Sequence, residues 1–206
     1  MNRRSFVKGS AAAIPATVAL QMMSTSAFAQ GFSNDVDVLN YALTLEYLES
    51  EFYRQGNGAG LLSGTEADYL QQVGADEDAH VAALTDTINQ IGGAPVEAPA
   101  VDFGESFASR QSFLTTAHVF ENTGVQAYLG AAGFISNPDI LQAAAGIFGV
   151  EARHAALIGS ILGLNAEDGV YMGATETPLT QAEVLKAVEP FLAGMGAMAG
   201  GAAVTR

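Results

Sequence analysis

Apolar residues recur at helical spacing along most of the chain after residue 33, and this pattern predicts five helices. In the first of them, Val38, Leu45 and Phe52 lie on one stripe. No segment shows a convincing strand pattern, so the predicted fold class is all-α. The predicted helices cover about residues 35–55, from Ser63 or Thr65 to about 91, about 105–134, 138–162 and 181–193.

Turn and cap residues mark the ends of these predicted helices. Gly56-Asn57-Gly58 stops the first helix, and Pro138 is well placed to open the fourth. Thr180-Gln181-Ala182-Glu183 is a capping box that begins the fifth. Residues 94–103 form a loop rich in Pro and Ala, and residues 194–206, mostly Gly, Ala and Met, predict a flexible tail.

Two of the three histidines stand three residues after a glutamate, in the pairs Glu77/His80 and Glu151/His154. Residues three apart share a face of a helix, so each pair can direct a carboxylate oxygen and an imidazole nitrogen at one ion. Pairs of exposed polar residues are the alternative. The repetition of the spacing and the apolar flanks favour two inward-facing pairs.

A second mark repeats in the other two bundle helices. Glu46 and Tyr53 are seven residues apart, and so are Glu121 and Tyr128. Each lone glutamate precedes a Glu-x-x-His pair, by 31 residues in the first half and by 30 in the second. Two helix pairs therefore carry the same chemical marks in the same order.

This set of side chains predicts a dinuclear metal site. A glutamate from each of two helices plus Glu-x-x-His from each of the other two is the pattern of di-iron and di-manganese bundles. Four carboxylates balance two divalent ions, and donors of this kind suit Fe or Mn better than Cu, with Zn as an alternative in a purely structural site. The predicted metal ligands are Glu46, Glu77, His80, Glu121, Glu151 and His154.

Several nearby residues allow more than one interpretation. Glu49 is the rival of Glu46 for the ligand in the first helix, and the seven-residue spacing to Tyr53 favours Glu46. Tyr53 and Tyr128 are either hydrogen-bond donors to the ligating carboxylates or ordinary core tyrosines. His118 is an outer group, an extra ligand or, as we favour, a partly exposed histidine. Gly124, inside the third helix, either allows close helix approach or clears a path to the metals.

The first 29 residues predict an export signal and not part of the fold. Arg3 and Arg4 precede a short, weakly apolar run, and Ala27-Phe28-Ala29 is a small-x-small cleavage site. Followed by Phe6 and Lys8, the arginine pair resembles the twin-arginine signal of folded exported proteins; an ordinary signal is the alternative. We expect a periplasmic or secreted location, with residues 1–29 as the signal, residues 30–163 as the four-helix bundle and residues 164–206 as the C-terminal extension.

Composition limits the partners. The predicted signal contains three of the eight basic residues and none of the 22 acidic ones, so the mature chain is strongly acidic. Such a surface repels nucleic acid and anionic lipid, and we expect no nucleic acid partner and no stable membrane insertion. The absence of Cys excludes disulfides and thiolate metal sites. A homo-oligomer is left open.

These motifs together resemble the ferritin-like domain proteins of the exported bacterial type, which are related to desiccation-associated ferritin-like proteins of plants. The resemblance covers about residues 34–163. The residues that carry it are Ala42–Glu49 with Phe52 and Tyr53, then Glu77 and His80, then Glu121 with Gly124 and Tyr128, and Val150–His154. It implies an antiparallel four-helix bundle with a carboxylate-bridged dinuclear site, here followed by an additional C-terminal helix.

The resemblance implies a site but leaves the reaction open. The superfamily includes iron oxidases, peroxidases, manganese catalases and oxygenases, so we expect an exported metalloprotein that reacts with dioxygen or peroxide in stress defence. The alternative is a non-catalytic, metal-stabilised protein of stress protection or structure. Iron storage in a shell is the weakest interpretation.

Overall fold

A computed structural model describes residues 31–193, which form α-helices with short 3₁₀ turns and no extended strand. The prediction of an all-α bundle is confirmed. The predicted signal and the predicted flexible tail lie outside the described residues. The α-helices are α1 (Asp35–Gly58), α2 (Thr65–Gln90), α3 (Arg110–Ala131), α4 (Pro138–Ile161) and α5 (Gln181–Val188).

Most helix starts follow the predicted cap chemistry. The Asn34 side chain accepts a hydrogen bond from the backbone N–H of Asp37 at the start of α1. At the start of α4, Asn137 is the cap and Pro138 takes the first turn. The Thr180 capping box is present at α5.

The third helix begins later than the hydrophobic pattern predicts. Residues Gly104–Phe107 form a separate 3₁₀ turn, and α3 starts only at Arg110. The reason is Ser109, whose extended backbone breaks the helix and whose side chain accepts a hydrogen bond from Ser112 N–H. The fifth helix is also shorter than its predicted end at residue 193. The α-helix ends at Val188, and a 3₁₀ turn with Pro190 follows, because proline has no N–H to extend the α-helical hydrogen bonds.

Hydrogen bonds between helix ends define an antiparallel bundle. Asn40, near the start of α1, donates to the carbonyl oxygen of Ala94 just after α2 (3.1 Å). The Asp35 carboxylate, also at the start of α1, accepts from the N–H of Ser136 between α3 and α4 (2.7 Å). Short connections join α1 to α2 and α3 to α4, so each pair is a helical hairpin, and the two hairpins pack face to face.

Two apolar clusters fill the bundle, and the polar residues lie between them. Along α2, Leu70 and Val73 belong to the first cluster, while Leu84 and Ile88 belong to the second. Glu77 and His80 fall between these two pairs in the sequence. The first cluster is rich in phenylalanine, with Phe52 packed against five other aromatic rings. A buried polar layer is thus enclosed by apolar packing along the helix axis.

The segment after residue 163 packs back onto the bundle. Leu179 N–H donates to the carbonyl oxygen of Gln126 in α3 (3.1 Å), and Val184 and Val188 of α5 are buried in the first apolar cluster. A Cβ atom at Gly130 would collide with the carbonyl oxygen of Leu179, so glycine is needed for this close approach. The division of the chain at residue 163 stays a prediction. Each helix within residues 31–193 is too short or too polar to cross a membrane.

Candidate metal centre

The four long helices bring all six predicted ligands to one place inside the bundle. The four glutamates are fully buried, and His80 and His154 are only 8% and 5% exposed. Each lone glutamate comes from one hairpin's first helix, and each Glu-x-x-His pair from its second. The set is Glu46 on α1, Glu77 and His80 on α2, Glu121 on α3, and Glu151 and His154 on α4.

These side chains form two overlapping groups. In each group one possible ligand atom from every residue lies within 4.8 Å of the others. Glu77 and Glu151 belong to both groups, so their carboxylates would be shared if each group held an ion. The groups are Glu46, Glu77, His80 and Glu151, and Glu77, Glu121, Glu151 and His154.

One nitrogen of His80 faces three carboxylates at once. Its Nδ1 lies 3.2 Å from Glu46 Oε2, 3.0 Å from Glu77 Oε2 and 3.2 Å from Glu151 Oε1. An imidazole nitrogen carries at most one proton, so it cannot donate a good hydrogen bond to all three oxygens. Donor atoms from three helices therefore converge on one point.

His154 holds the equivalent position in the second group and has an outer partner. Its Nδ1 lies 2.9 Å from Glu77 Oε1 and 3.2 Å from Glu121 Oε2. Its other nitrogen, Nε2, lies 3.2 Å from Asp76 Oδ2. A carboxylate on the far nitrogen fixes the orientation of an imidazole ligand. Sequence reasoning missed Asp76, because its partner lies on α4 and no spacing within α2 reveals that contact.

The two tyrosines bond across the bundle. Tyr53 on α1 donates from its hydroxyl to Glu121 on α3, and Tyr128 on α3 donates to Glu46 on α1. The sequence placed each tyrosine on the face of the glutamate in its own helix, whereas each contacts the glutamate of the other helix. Burial, and then the nearby carboxylate charge, hold the pKa of both hydroxyls well above the usual range, so they stay protonated donors.

Several ligand atoms of the centre lack a hydrogen bond although they are buried. All of them belong to residues of the two groups. Buried polar atoms without partners are costly and rare, and cations placed among these lone pairs would satisfy them. The residues present therefore fit a pair of metal ions. The atoms are Glu77 Oε1, Glu121 Oε2, both carboxylate oxygens of Glu151, and His154 Nδ1.

The histidines hold protons strongly when no cation is bound. Burial alone would lower the pKa of His80, but the carboxylates that lie close to its Nδ1 outweigh burial and raise it to about 12. The same balance, with Glu121 and Glu77 as the partners, raises the pKa of His154 to about 11. Two imidazolium groups therefore offset part of the carboxylate charge in the metal-free centre.

The shared carboxylates are difficult to ionise. Burial raises the pKa of Glu77 to about 7, even though both histidines act to lower it. Burial, followed by the charge of Glu77, holds the pKa of Glu151 well above its usual range. A low-dielectric site with too few cations favours protonated carboxyls. Binding a divalent ion here must therefore displace protons.

Two other candidates lie outside both groups. Glu49, the rival of Glu46, is outside both four-residue groups, yet it is buried beside them with 4% exposure. His118 is half-buried, and its Nε2 lies 2.8 Å from the carbonyl oxygen of Gly169 in the loop after α4. His118 also belongs to neither group of possible ligands within residues 31–193.

Comparison with protein-family models matches residues 34–164 to the ferritin-like domain. The chain belongs to the ferritin-like family. A search of curated proteins finds no match. The family assignment confirms the resemblance seen in the sequence at the level of the superfamily, and the buried carboxylate and histidine groups are compatible with a dinuclear metal site. Export and the link to desiccation-associated proteins stay predictions.

Proposed function

We propose that this ferritin-like chain is an exported metalloprotein whose centre holds two Fe or Mn ions and reacts with dioxygen or peroxide. The observation that carries the proposal is the doubled donor set, in which Glu77 and Glu151 belong to both groups. Such sharing suits two ions side by side better than a single ion.

Charge and donor type support the same proposal. Four carboxylates from Glu46, Glu77, Glu121 and Glu151 balance two divalent ions, and two neutral imidazoles complete the set. Carboxylate oxygen and imidazole nitrogen are donors that suit Fe and Mn. When bound, such a pair of ions would supply a site that can hold a small oxidant and share the change in electrons between them.

The chain's own residues orient this site and limit the access of water. Tyr53 donates to Glu121 and Tyr128 donates to Glu46, and each of these carboxylates belongs to only one of the two groups. Asp76 contacts the outer nitrogen of His154. Apolar clusters lie on both sides of the polar layer. A dry surrounding strengthens each electrostatic interaction inside it. The twin-arginine pattern fits this function, because export after folding lets the metal be loaded inside the cell.

A second function has support from one observation. Buried atoms without hydrogen bonds destabilise the metal-free bundle, so bound ions would stabilise the fold even if no reaction occurred. A metal-stabilised protein of stress protection would need nothing more. The homo-oligomer that the sequence leaves open is part of this second proposal.

Metal analysis of protein exported by its own signal, combined with peroxide consumption, separates these functions. We expect about two Fe or Mn ions per chain, and turnover that is lost in Glu151→Ala but kept in Glu97→Ala, a change at an exposed loop residue. Bound metal that raises the melting temperature without peroxide or dioxygen consumption would favour the stress-protection function. A purified chain without any transition metal would overturn both.

A further inference from the structure

The two halves of the centre differ three residues after each lone glutamate. In α1, Glu46 is followed at that spacing by Glu49, whereas in α3, Glu121 is followed by Gly124. Residues three apart share a helix face, so both positions face the polar layer. The internal repeat is therefore broken at one point: one half carries an extra carboxylate and the other half carries no side chain.

Glu49 is a buried carboxylate without a partner. It is 4% exposed, and within residues 31–193 no hydrogen bond or ion pair involves its carboxylate. Its surroundings are acidic, because an oxygen of Glu49 and an oxygen of the proposed ligand Glu151 both lie beside Gly124. A buried carboxylate in such a place is strongly unfavourable unless a cation is present.

Gly124 lies beside the carboxylates of both Glu49 and Glu151. A Cβ atom at Gly124 would lie 2.8 Å from Glu151 Oε2 and 3.4 Å from Glu49 Oε1. Both oxygens thus lie against the bare backbone of α3. The distance between the two oxygens cannot exceed the sum of their distances from the Cβ position. Glu151 Oε2 is itself one of the buried atoms without a hydrogen bond. The two carboxylates face the same space beside the bridging position.

We propose that Glu49 is a seventh metal-binding side chain, on the face of the centre that Gly124 leaves open. This inference rests on the proposed dinuclear function. Glu49 then binds the two metal ions together with Glu151. It makes the centre asymmetric, since the second half offers no equivalent carboxylate. The alternatives weighed from the sequence, Glu46 or Glu49, are replaced by both residues in different positions.

The extra charge has a consequence for the metal. Four carboxylates already balance two divalent ions, so a fifth leaves one negative charge in excess. A centre with five carboxylates is better matched to ions of higher total charge, because opposite charges in a low-dielectric site attract strongly. Glu49 therefore stabilises the oxidised ions relative to the reduced ones and lowers the reduction potential of an iron-loaded centre.

Glu49→Gln tests this directly, because it keeps the side-chain shape and removes the charge. The matched control is Glu51→Gln, on the same helix but partly exposed and paired with Arg54. Each full chain is stripped of metal, titrated with Mn²⁺ or anaerobic Fe²⁺, and analysed for metal content. We expect Glu49→Gln to bind at least one ion about tenfold or more weakly than wild type, with a more positive potential in the iron form. We expect Glu51→Gln to match wild type.

Thermal unfolding provides a readout that does not depend on activity. Without metal, Glu49→Gln should be at least as stable as wild type, because a neutral amide replaces a carboxyl group that is crowded among other carboxyl groups. With metal, the order should reverse. Gly124→Ala changes the same face without a charge change: the added Cβ would lie 2.8 Å from Glu151 Oε2 and 3.4 Å from Glu49 Oε1, and we expect weaker metal binding from this variant also.

The outcomes separate the two proposals. If wild type and Glu51→Gln bind two ions and Glu49→Gln binds them equally tightly, Glu49 is not a ligand and only this inference falls. If the stripped wild-type chain binds no Mn²⁺ or Fe²⁺ under the same conditions, the dinuclear function falls, and this inference falls with it.

Discussion

The hydroxyl of Tyr53 on α1 donates a hydrogen bond to the carboxylate of Glu121 on α3, across the width of the bundle. Tyr128 on α3 makes the reciprocal bond to Glu46 on α1. Each hairpin therefore supplies the hydrogen-bond donor that orients the other hairpin's lone carboxylate. The two hairpins are tied together by the residues that also shape the proposed metal centre.

Removing the Tyr53 hydroxyl tests this link. In Tyr53→Phe, Glu121 loses its donor, and we expect metal affinity to fall about tenfold and the free energy of unfolding to fall by about 1–3 kcal/mol. Metal titration and urea unfolding measure the two effects. Tyr69→Phe, at an exposed position, serves as the control. Equal metal affinity in the two variants would show that the hydroxyl does not orient a ligand.

Asp76 should affect the metal more than the fold. In Asp76→Asn the outer partner of His154 Nε2 loses its charge, and we expect metal affinity to fall about 10- to 100-fold. Asp76 is partly exposed, so unfolding of the metal-free chain should change little. The control is Asp78→Asn, on the same helix, where the carboxylate accepts a hydrogen bond from Ser50. Asp76→Asn and Asp78→Asn with the same metal affinity would contradict an orienting role.

The stabilisation given by metal should grow as the pH rises. The pKa values of His80 and His154 are raised from 6.5 to about 12 and about 11, and that of Glu77 is raised from 4.5 to about 7. Groups with raised pKa values bind more protons in the folded state, so the metal-free chain loses their contribution as pH rises: between 4.5 and about 7 for Glu77, and above 6.5 for the histidines.

Metal ions require these protons to leave, so their binding strengthens over the same range. We therefore expect the difference in melting temperature between metal-loaded and metal-free protein to be larger at about pH 8 than at about pH 6. Thermal unfolding at matched ionic strength and free metal concentration measures this difference. A difference that is constant or shrinks with pH would mean that no buried proton is displaced.

The docking of the C-terminal segment depends on Gly130. In Gly130→Ala the new methyl group collides with the carbonyl oxygen of Leu179, so we expect a loss of about 1–3 kcal/mol in the free energy of unfolding. Gly146→Ala is the matched control, since a Cβ in the middle of α4 meets no atom within 4 Å. There we expect a gain of about 0.5–1 kcal/mol. Similar changes in the free energy of unfolding in both variants would show that the C-terminal segment moves away from the added methyl group at little cost.

Helix positions and the residues of the buried polar layer could be read from the sequence, because both follow from local periodicity. Glu77 and His80 share a face by helical geometry alone, and the same spacing at Glu151 and His154 marks the second pair. The start of α3 was harder to place, because apolar residues continue through the 3₁₀ turn and only the cap formed by Ser109 breaks the helix.

Contacts between helices could not be read in this way. The contact of Asp76 with His154 and the crossed tyrosine bonds depend on how the hairpins face each other. Likewise, the sequence offered Glu46 and Glu49 as rivals, because helical spacing places both near the same face. Only the packing of α3, with bare backbone at Gly124, shows that both side chains fit inside.

A crystal structure of the metal-loaded chain, with anomalous scattering recorded at the metal edge, tests the central claim most directly. We expect two anomalous peaks about 3.5–4 Å apart, each near one of the two histidines, with the carboxylates of Glu77 and Glu151 between them. A single peak, or peaks only on the acidic surface, would contradict a dinuclear centre built from these helices.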